Sequence, residues 1–335
     1  MVQEVFSTIE DWLSSDKRFA VATVIGTWGS SPRPVGSVLL VREDGAMAGS
    51  VSGGCVENAV VKSALQVLAS GVPQALHFGI TNDEAWAVGL SCGGKLDVWV
   101  EPFPTGAVQE QLLAALRADT GGLWLSRLDE GHYAPVFLSP AAIAEAHPDW
   151  AFAYPIWRER RSQVLVASGE RWFVRVVPRK NRLLIIGAAH IAVELVRLAH
   201  LFDFATTVID PRQVFATKTQ FAEAPHDMLV NWPAAVLPTF ELDAWTYAVL
   251  LSHDPKIDDQ ALHLLLRSEI GYIGALGSRR THEQRIARLR AEGFSDAAIA
   301  RIHAPVGLSI GAQGAREIAV SIIAEMIQYK NSGTD

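Results

Sequence analysis

The sequence predicts an α/β protein in two parts, an N-terminal α+β domain over residues 1–178 and a doubly wound parallel-sheet domain over 179–330, with a frayed tail at 331–335. Three observations predict it. Leu183 to Ile186 is a continuous apolar run of the kind buried on both faces of a parallel sheet, and it leads into a glycine turn, a helical pattern and a second strand. Strands and helices then alternate to the end of the chain, whereas the first half has β-branched strands joined by hairpin turns. Pro178 to Asn181, basic and opened by a proline, separates the two patterns.

A chain of 335 residues is long enough for two full cores. With 49% hydrophobic and 19% charged residues it has the composition of a globular protein, and a net charge of −7 argues against a nucleic-acid partner. Small molecules or another protein are the expected partners. The first residues, with Glu4, Glu10 and Asp11, lack the basic start and apolar core of a signal peptide, and no apolar run has the length of a membrane span. A cytoplasmic protein is expected. Its two cysteines form no disulfide framework and no zinc-ligand spacing.

Phe6 to Ser14 reads as an amphipathic helix and Phe19 to Thr27 as a strand. In the loop Gly29 to Gly36, Pro32 and Pro34 restrict the backbone and deliver Arg33 to a defined place, as an anion contact or as an ordinary exposed arginine. Ser37 to Arg42 and Ala46 to Val51 form a hairpin about Glu43-Asp44-Gly45. Its return strand enters Gly49-Ser-Val-Ser-Gly-Gly-Cys-Val-Glu57, and helical spacing then runs from Val56 to Ser70, stopped by Gly71 and Pro73.

Cys55 is therefore expected at a helix start, where the dipole and unpaired amides favour a thiolate. Ser52, Gly53 and Gly54 would turn successive N–H groups into a concavity for a phosphate, an oxyanion or a sulfur anion. The alternative is a small buried cysteine beside a tight turn. Glu57 reads as a residue favouring the helix dipole. A second loop, Ser91-Cys92-Gly93-Gly94, repeats the cysteine and glycine pairing before a strand at Lys95 to Glu101.

Weaker patterns follow, with a strand at Leu76 to Gly79, a helix at Val108 to Ala118, strands at Gly122 to Leu128 and Ala134 to Leu138, and a hairpin of Gln163 to Ala167 with Arg171 to Val177. Beyond the boundary, Gly187-x-Ala189-His190-x-Ala192 and Asp210 complete the strand, glycine turn, helix, strand and acid order of a Rossmann dinucleotide unit. Ala189 stands where a glycine would let the backbone approach a pyrophosphate, which weakens NAD(P) as a cofactor. Asp210 is a candidate for a ribose hydroxyl or for capping the turn at Pro211-Arg212. Gly277-Ser278-Arg279-Arg280 opens a helix and combines a hydroxyl, helix amides and arginines in a candidate phosphate pocket at Ser278 and Arg279. His253 reads as a helix-entry hydrogen bonder or a base.

Together these motifs resemble the XdhC and CoxI family of accessory proteins for molybdenum hydroxylases such as xanthine dehydrogenase. Gly29 to Gly36, Gly49 to Glu57 and Cys92 to Gly94 carry the resemblance in the first half; Gly187 to Ala192, His253 to Asp259, Tyr272 to Arg280 and Pro305 to Ala312 carry it in the second. Ala189 departs from the expected pattern. The resemblance implies binding and protection of the molybdenum cofactor, as molybdopterin or its dinucleotide, help in exchanging an oxo for a sulfido ligand, and delivery to an apo-hydroxylase. A cysteine desulfurase would donate the sulfur, and a homodimer is the base-rate assembly.

On that reading Cys55 and Cys92 are the reactive thiols and Cys55 a candidate molybdenum ligand. Arg33, Ser52, Gly53, Gly54, Gly93, Gly187, His190, Asp210, Ser278 and Arg279 contact the cofactor. The competing readings are an NAD(P)-dependent oxidoreductase, an interaction protein without a ligand, and a cysteine hydrolase in which His77 or His253 meets a thiol.

Overall fold

The computed structural model describes residues 2–29, 33–79, 94–129, 134–145, 147–214 and 220–331. The chain divides into two compact units, Met1–Arg179 and Lys180–Asp335.

The first unit opens with helix α1 (Phe6–Ser14), which buries Ile9 and Trp12. Strands β1 (Phe19–Trp28), β2 (Val38–Arg42), β3 (Met47–Gly49), β4 (Gln74–Phe78) and β5 (Lys95–Pro102) form an antiparallel sheet in the order β3-β2-β1-β5-β4. Helix α2 (Glu57–Ser70) packs Val60, Ala64 and Val67 on one face of it, against Ala20, Ala22 and Val24 of β1 and Leu96, Val98 and Val100 of β5. The spacing that predicts α2 is thus the spacing of its buried face, and Gly71, at φ +73, ends it by donating to Val67 O at 2.8 Å.

The opposite face meets a second antiparallel sheet, ordered β7-β6-β9-β8, of β6 (Gly122–Arg127), β7 (Val136–Leu138), β8 (Gln163–Ala167) and β9 (Glu170–Val177). Ile25 and Trp99 pack on Leu128 and Phe173 between the sheets. Helix α3 (Gly106–Arg117) closes one end of this core. The short helices α4 (Pro140–Ala144) and α5 (Ala153–Glu159) are absent from the sequence expectation, because five and seven residues are too few to show a helical period.

A charged pair lies inside that sandwich. Arg175 of β9 and Glu101 of β5 are each 1% exposed, with Nη2 of the arginine 3.8 Å from Glu101 Oε1. Arg175 donates to the Thr23 hydroxyl and stacks its guanidinium 3.9 Å from the centre of the Trp124 ring. Glu101 accepts from Ser126 Oγ at 2.7 Å and from Trp99 Nε1 at 3.3 Å. Burial raises the Glu101 pKa above the usual carboxylate range even though Arg175 and these donors oppose it.

The second unit has the parallel sheet that the sequence predicts. Strands β10 (Arg182–Ile186), β11 (Ala205–Ile209), β12 (Asp227–Leu229), β13 (Thr246–Leu250), β14 (Tyr272–Ala275) and β15 (Ile302–His303) lie in the order β12-β11-β10-β13-β14-β15, all parallel. Numbered within the unit this order is 3-2-1-4-5-6, that of a Rossmann domain.

Alternate residues of β10 face alternate cores. Leu183 and Ile185 pack with helices α6 (His190–Leu201) and α11 (Ala315–Asn331), and Leu184 and Ile186 pack with α8 (Pro255–Leu265) and α9 (Arg279–Ala291). The short helices α7 (Pro233–Val236) and α10 (Asp296–Ile299) complete the unit. Asn331, expected in the frayed tail, is the last residue of α11, and residues 332–335 lie outside the described residues. Among the described residues no helix is long and apolar enough to cross a membrane.

Candidate functional site

Strand β3 delivers the chain to the cysteine loop. At Gly49, φ +85, an added Cβ would lie 2.4 Å from the carbonyl oxygen of Val38, so only glycine leaves β3 in this direction. Gly53 and Gly54, at φ +79 and +116, then curl the backbone round a single side chain, Glu57. Its Oε1 accepts from Ser50 Oγ at 2.7 Å, Val51 N–H at 3.3 Å and Ser52 N–H at 2.9 Å. Its Oε2 accepts from Ser52 Oγ at 2.6 Å, Gly54 N–H at 2.9 Å and Val56 N–H at 3.2 Å.

The remaining loop amides are also engaged. Gly53 N–H donates to Ser50 Oγ at 2.8 Å, and Cys55 N–H donates to Ser52 Oγ at 2.9 Å. The sequence expectation of an amide concavity for an external anion is therefore corrected: the loop makes that concavity and fills it with its own carboxylate. Ser52, Gly53 and Gly54 shape the loop. Glu57, read from sequence as favouring the helix dipole, organises the whole turn from Ser50 to Val56. Burial opposes its charge, but the Ser52 and Ser50 hydroxyls and the backbone amides outweigh it and lower the pKa from 4.5 to about 2.

Cys55 lies just before the cap of α2, at Val56, as a half-buried thiol beside the apolar residues under that helix. Arg33 reaches this loop: its Nε donates to Ser50 O at 3.3 Å, and its Nη2 donates to Glu4 Oε2 at 3.1 Å. Cys92 and Gly93 lie outside the described residues. His77 is on the sheet face opposite α2, since its neighbours Leu76 and Phe78 are the residues of β4 that pack beneath that helix. It forms no dyad with Cys55.

In the second unit the candidate residues cluster at the carboxyl ends of β10, β11, β13 and β14, where open α/β sheets bind ligands. Gly187, at φ +104, lets the turn after β10 pass close to the turn after β13, for a Cβ there would sit 2.6 Å from the backbone of Ser252. Ala189 caps α6, and His190, its first residue, is exposed. Asp210 is fully buried. Its Oδ2 accepts from Ala188 N–H and Arg212 Nη2, each at 2.8 Å, and its Oδ1 from Arg212 N–H and Nε, each at 2.9 Å.

Of the two sequence readings of Asp210, this geometry fills the turn-capping one; a ribose hydroxyl would have to displace Arg212. Burial works against the charge of Asp210, and the hydrogen bonds from Arg212 and Ala188 overcome it to lower the pKa. Ser278 is the cap of α9, with its hydroxyl accepting from Thr281 N–H at 3.2 Å, and Arg279 and Arg280 are exposed beside it. His253 is exposed at φ +58, and Asp254 caps α8 by accepting from Lys256 N–H at 2.9 Å.

Sequence reasoning missed the support behind these turns. Ser252 Oγ donates to Asp258 Oδ1 at 2.5 Å, Arg285 Nη2 lies 3.5 Å from Asp258 Oδ2, and the same nitrogen donates to Leu276 O at 3.1 Å. Asp258 and Arg285 are 4% and 2% exposed, so this pair locks the ends of β13 and β14 from within. Among the described residues no group of three or more histidine, cysteine or acidic side chains is placed to hold a metal ion.

Comparison with known proteins finds family models in both units. The model described as the XdhC and CoxI family matches residues 12–79, and that described as the XdhC Rossmann domain matches residues 183–326. The chain is 29% identical over 334 residues to a probable xanthine dehydrogenase subunit of Bacillus subtilis (strain 168), covering 97% of each chain. It is 27% identical over 324 residues to the molybdenum cofactor insertion chaperone PaoD of Escherichia coli (strain K12), covering 95% of this chain and 85% of that one. A crystal structure of a xanthine dehydrogenase from Bacillus halodurans superposes with a TM-score of 0.63 at 29% identity, over 98% of this chain and 96% of the other.

Proposed function

The chain belongs to the XdhC and CoxI family, and on that premise we propose that it is an accessory protein that binds the molybdenum cofactor, protects it and inserts it into a molybdenum hydroxylase. The observation that carries this reading is the alignment with a molybdenum cofactor insertion chaperone along 95% of the chain, through both units. The cofactor is then cargo. The finer steps are proposed with it: installation of a sulfido ligand before transfer, with sulfur from a cysteine desulfurase.

The side chains present fit such a cargo in part. A soft, half-buried sulfur donor at Cys55 suits a molybdenum centre, held on a loop whose shape Glu57 fixes beforehand. The exposed start of α9, with Ser278 and Arg279, suits a phosphate. The loop amides at 51–56 do not fit an anion, because Glu57 and the two serine hydroxyls already take them. NAD(P) is the weaker cofactor reading, since Asp210 is already bound to the Ala188 amide and to Arg212.

Protein purified without oxygen, from cells that make molybdopterin, tests the proposal by molybdenum analysis, by fluorescence of the oxidised pterin and by activation of an apo-hydroxylase. Copurifying molybdopterin that falls in Cys55→Ala and Arg279→Ala variants is the expected result. Absence of pterin from the parent protein, together with no activation, would sink it.

A further inference from the structure

One cluster on the first unit uses none of the residues assigned to the cofactor above. Strands β1 and β5 pair regularly except for a bulge between Val24 and Gly26, after which Gly26 faces Asp97 and Trp28 faces Lys95. Bulges re-aim the side chains that follow them. Here the indole of Trp28 is laid over Gly26: a Cβ added to that glycine would sit 3.0 Å from Trp28 Cη2 and 3.5 Å from Asp97 Oδ2. A glycine inside a strand weakens it and marks a place where something approaches the backbone closely. Trp28 as a residue is nevertheless 54% exposed.

On the next strand His77 faces Asp97 in register, and its Nδ1 is 2.8 Å from Asp97 Oδ1. An ionised carboxylate only accepts, so Nδ1 carries the proton, and in the neutral imidazole Nε2 is the acceptor. The His77 side chain is 70% exposed, so that acceptor is turned to solvent beside the open indole. Asp97 supplies a negative charge to the same patch, which disfavours an anionic ligand.

We propose that Trp28, His77 and Asp97 form a binding site for a flat, neutral, nitrogen-rich bicyclic ring, a purine or a pterin, stacked on the indole and donating a ring N–H to His77 Nε2. An exposed indole offers a π-face that any such ring covers, and the imidazole oriented by Asp97 selects rings with a donor at the edge. The site is on the opposite face of the sheet from α2 and does not require Cys55.

Equilibrium dialysis of the full chain with hypoxanthine and, separately, with 6-methylpterin tests this. Saturable binding of one ring is expected, and which ring binds identifies the source. Trp28→Ala should weaken binding roughly tenfold to hundredfold, Trp28→Phe should retain most of it, and His77→Ala should weaken it several-fold. Circular dichroism of each variant controls for folding, and Cys55→Ala should bind the ring as the parent does. Failure of both rings to bind, or parental affinity in Trp28→Ala, overturns the inference; molybdopterin retention, measured separately, is the readout for the cofactor proposal.

Discussion

The Glu57 carboxylate and the Ser52 hydroxyl lie 2.6 Å apart, and between them they receive five of the six backbone N–H groups from Val51 to Val56. The loop that presents Cys55 is thus set by an internal anion and needs no ligand to hold its shape.

Replacing that anion should be costly. A folded pKa of about 2 against 4.5 for the free side chain corresponds to about 3 kcal/mol. Because the folded value is depressed, this stability is present in full above pH 4.5 and is lost as the pH falls toward 2. Urea unfolding should show Glu57→Gln less stable than the parent by about 3 kcal/mol at neutral pH, with the gap closing near pH 2. An equal gap at both pH values would assign the effect to shape and not to charge.

The buried pair in the first unit should be asymmetric to mutation. Arg175→Met leaves the Glu101 carboxyl buried between the two sheets without its counter-ion, a loss of about 3–5 kcal/mol. Adding Glu101→Gln, which keeps an acceptor for Ser126 and Trp99, should recover part of that loss. Thermal melting of the two single variants and the double variant measures the recovery, and strict additivity would contradict it.

Gly187 and Gly45 separate backbone strain from crowding. Both have positive φ, +104 and +86, but a Cβ at 187 would strike the Ser252 backbone at 2.6 Å whereas at 45 it would meet nothing within 4 Å. Gly45→Ala should cost about 1 kcal/mol and Gly187→Ala at least ~2 kcal/mol. Equal melting temperatures for the two variants would refute the close approach at the sheet's switch point.

Cys55 should be chemically accessible in the folded protein. In a Cys92→Ala background, one equivalent of thiol should react with iodoacetamide in native buffer, because the residue is half-buried and not sealed. Reaction only after denaturant is added would show the thiol to be enclosed.

Much of the fold is legible in the sequence because burial imposes a period. The limits of α1 are as expected, and those of α2 and β10 differ by one residue, since Val60, Ala64 and Val67 or Leu183 to Ile186 record which faces are covered. The sheet order is not written in any local period; it follows from right-handed crossovers and packing. The two hydroxyls and two glycines ahead of Glu57 are visible as letters, yet the closure onto its carboxylate depends on positive φ at Gly53 and Gly54. Arg175 had a readable signal, a charge inside Trp-Phe-Val-Arg-Val-Val, where every neighbour is apolar. Asp210 offered two readings, and only coordinates show Arg212 folded back upon it.

That arginine ties together three turns that the chain reaches at widely separated points. Its side chain grips Asp210, Asp210 holds the amide of Ala188, and Nη1 of the same arginine lies 3.5 Å from the carbonyl oxygen of Ser252. Pulling Arg212 away would cut its hold on Asp210 and on Ser252 together, so the turns after β11 and β13 are coupled through one side chain.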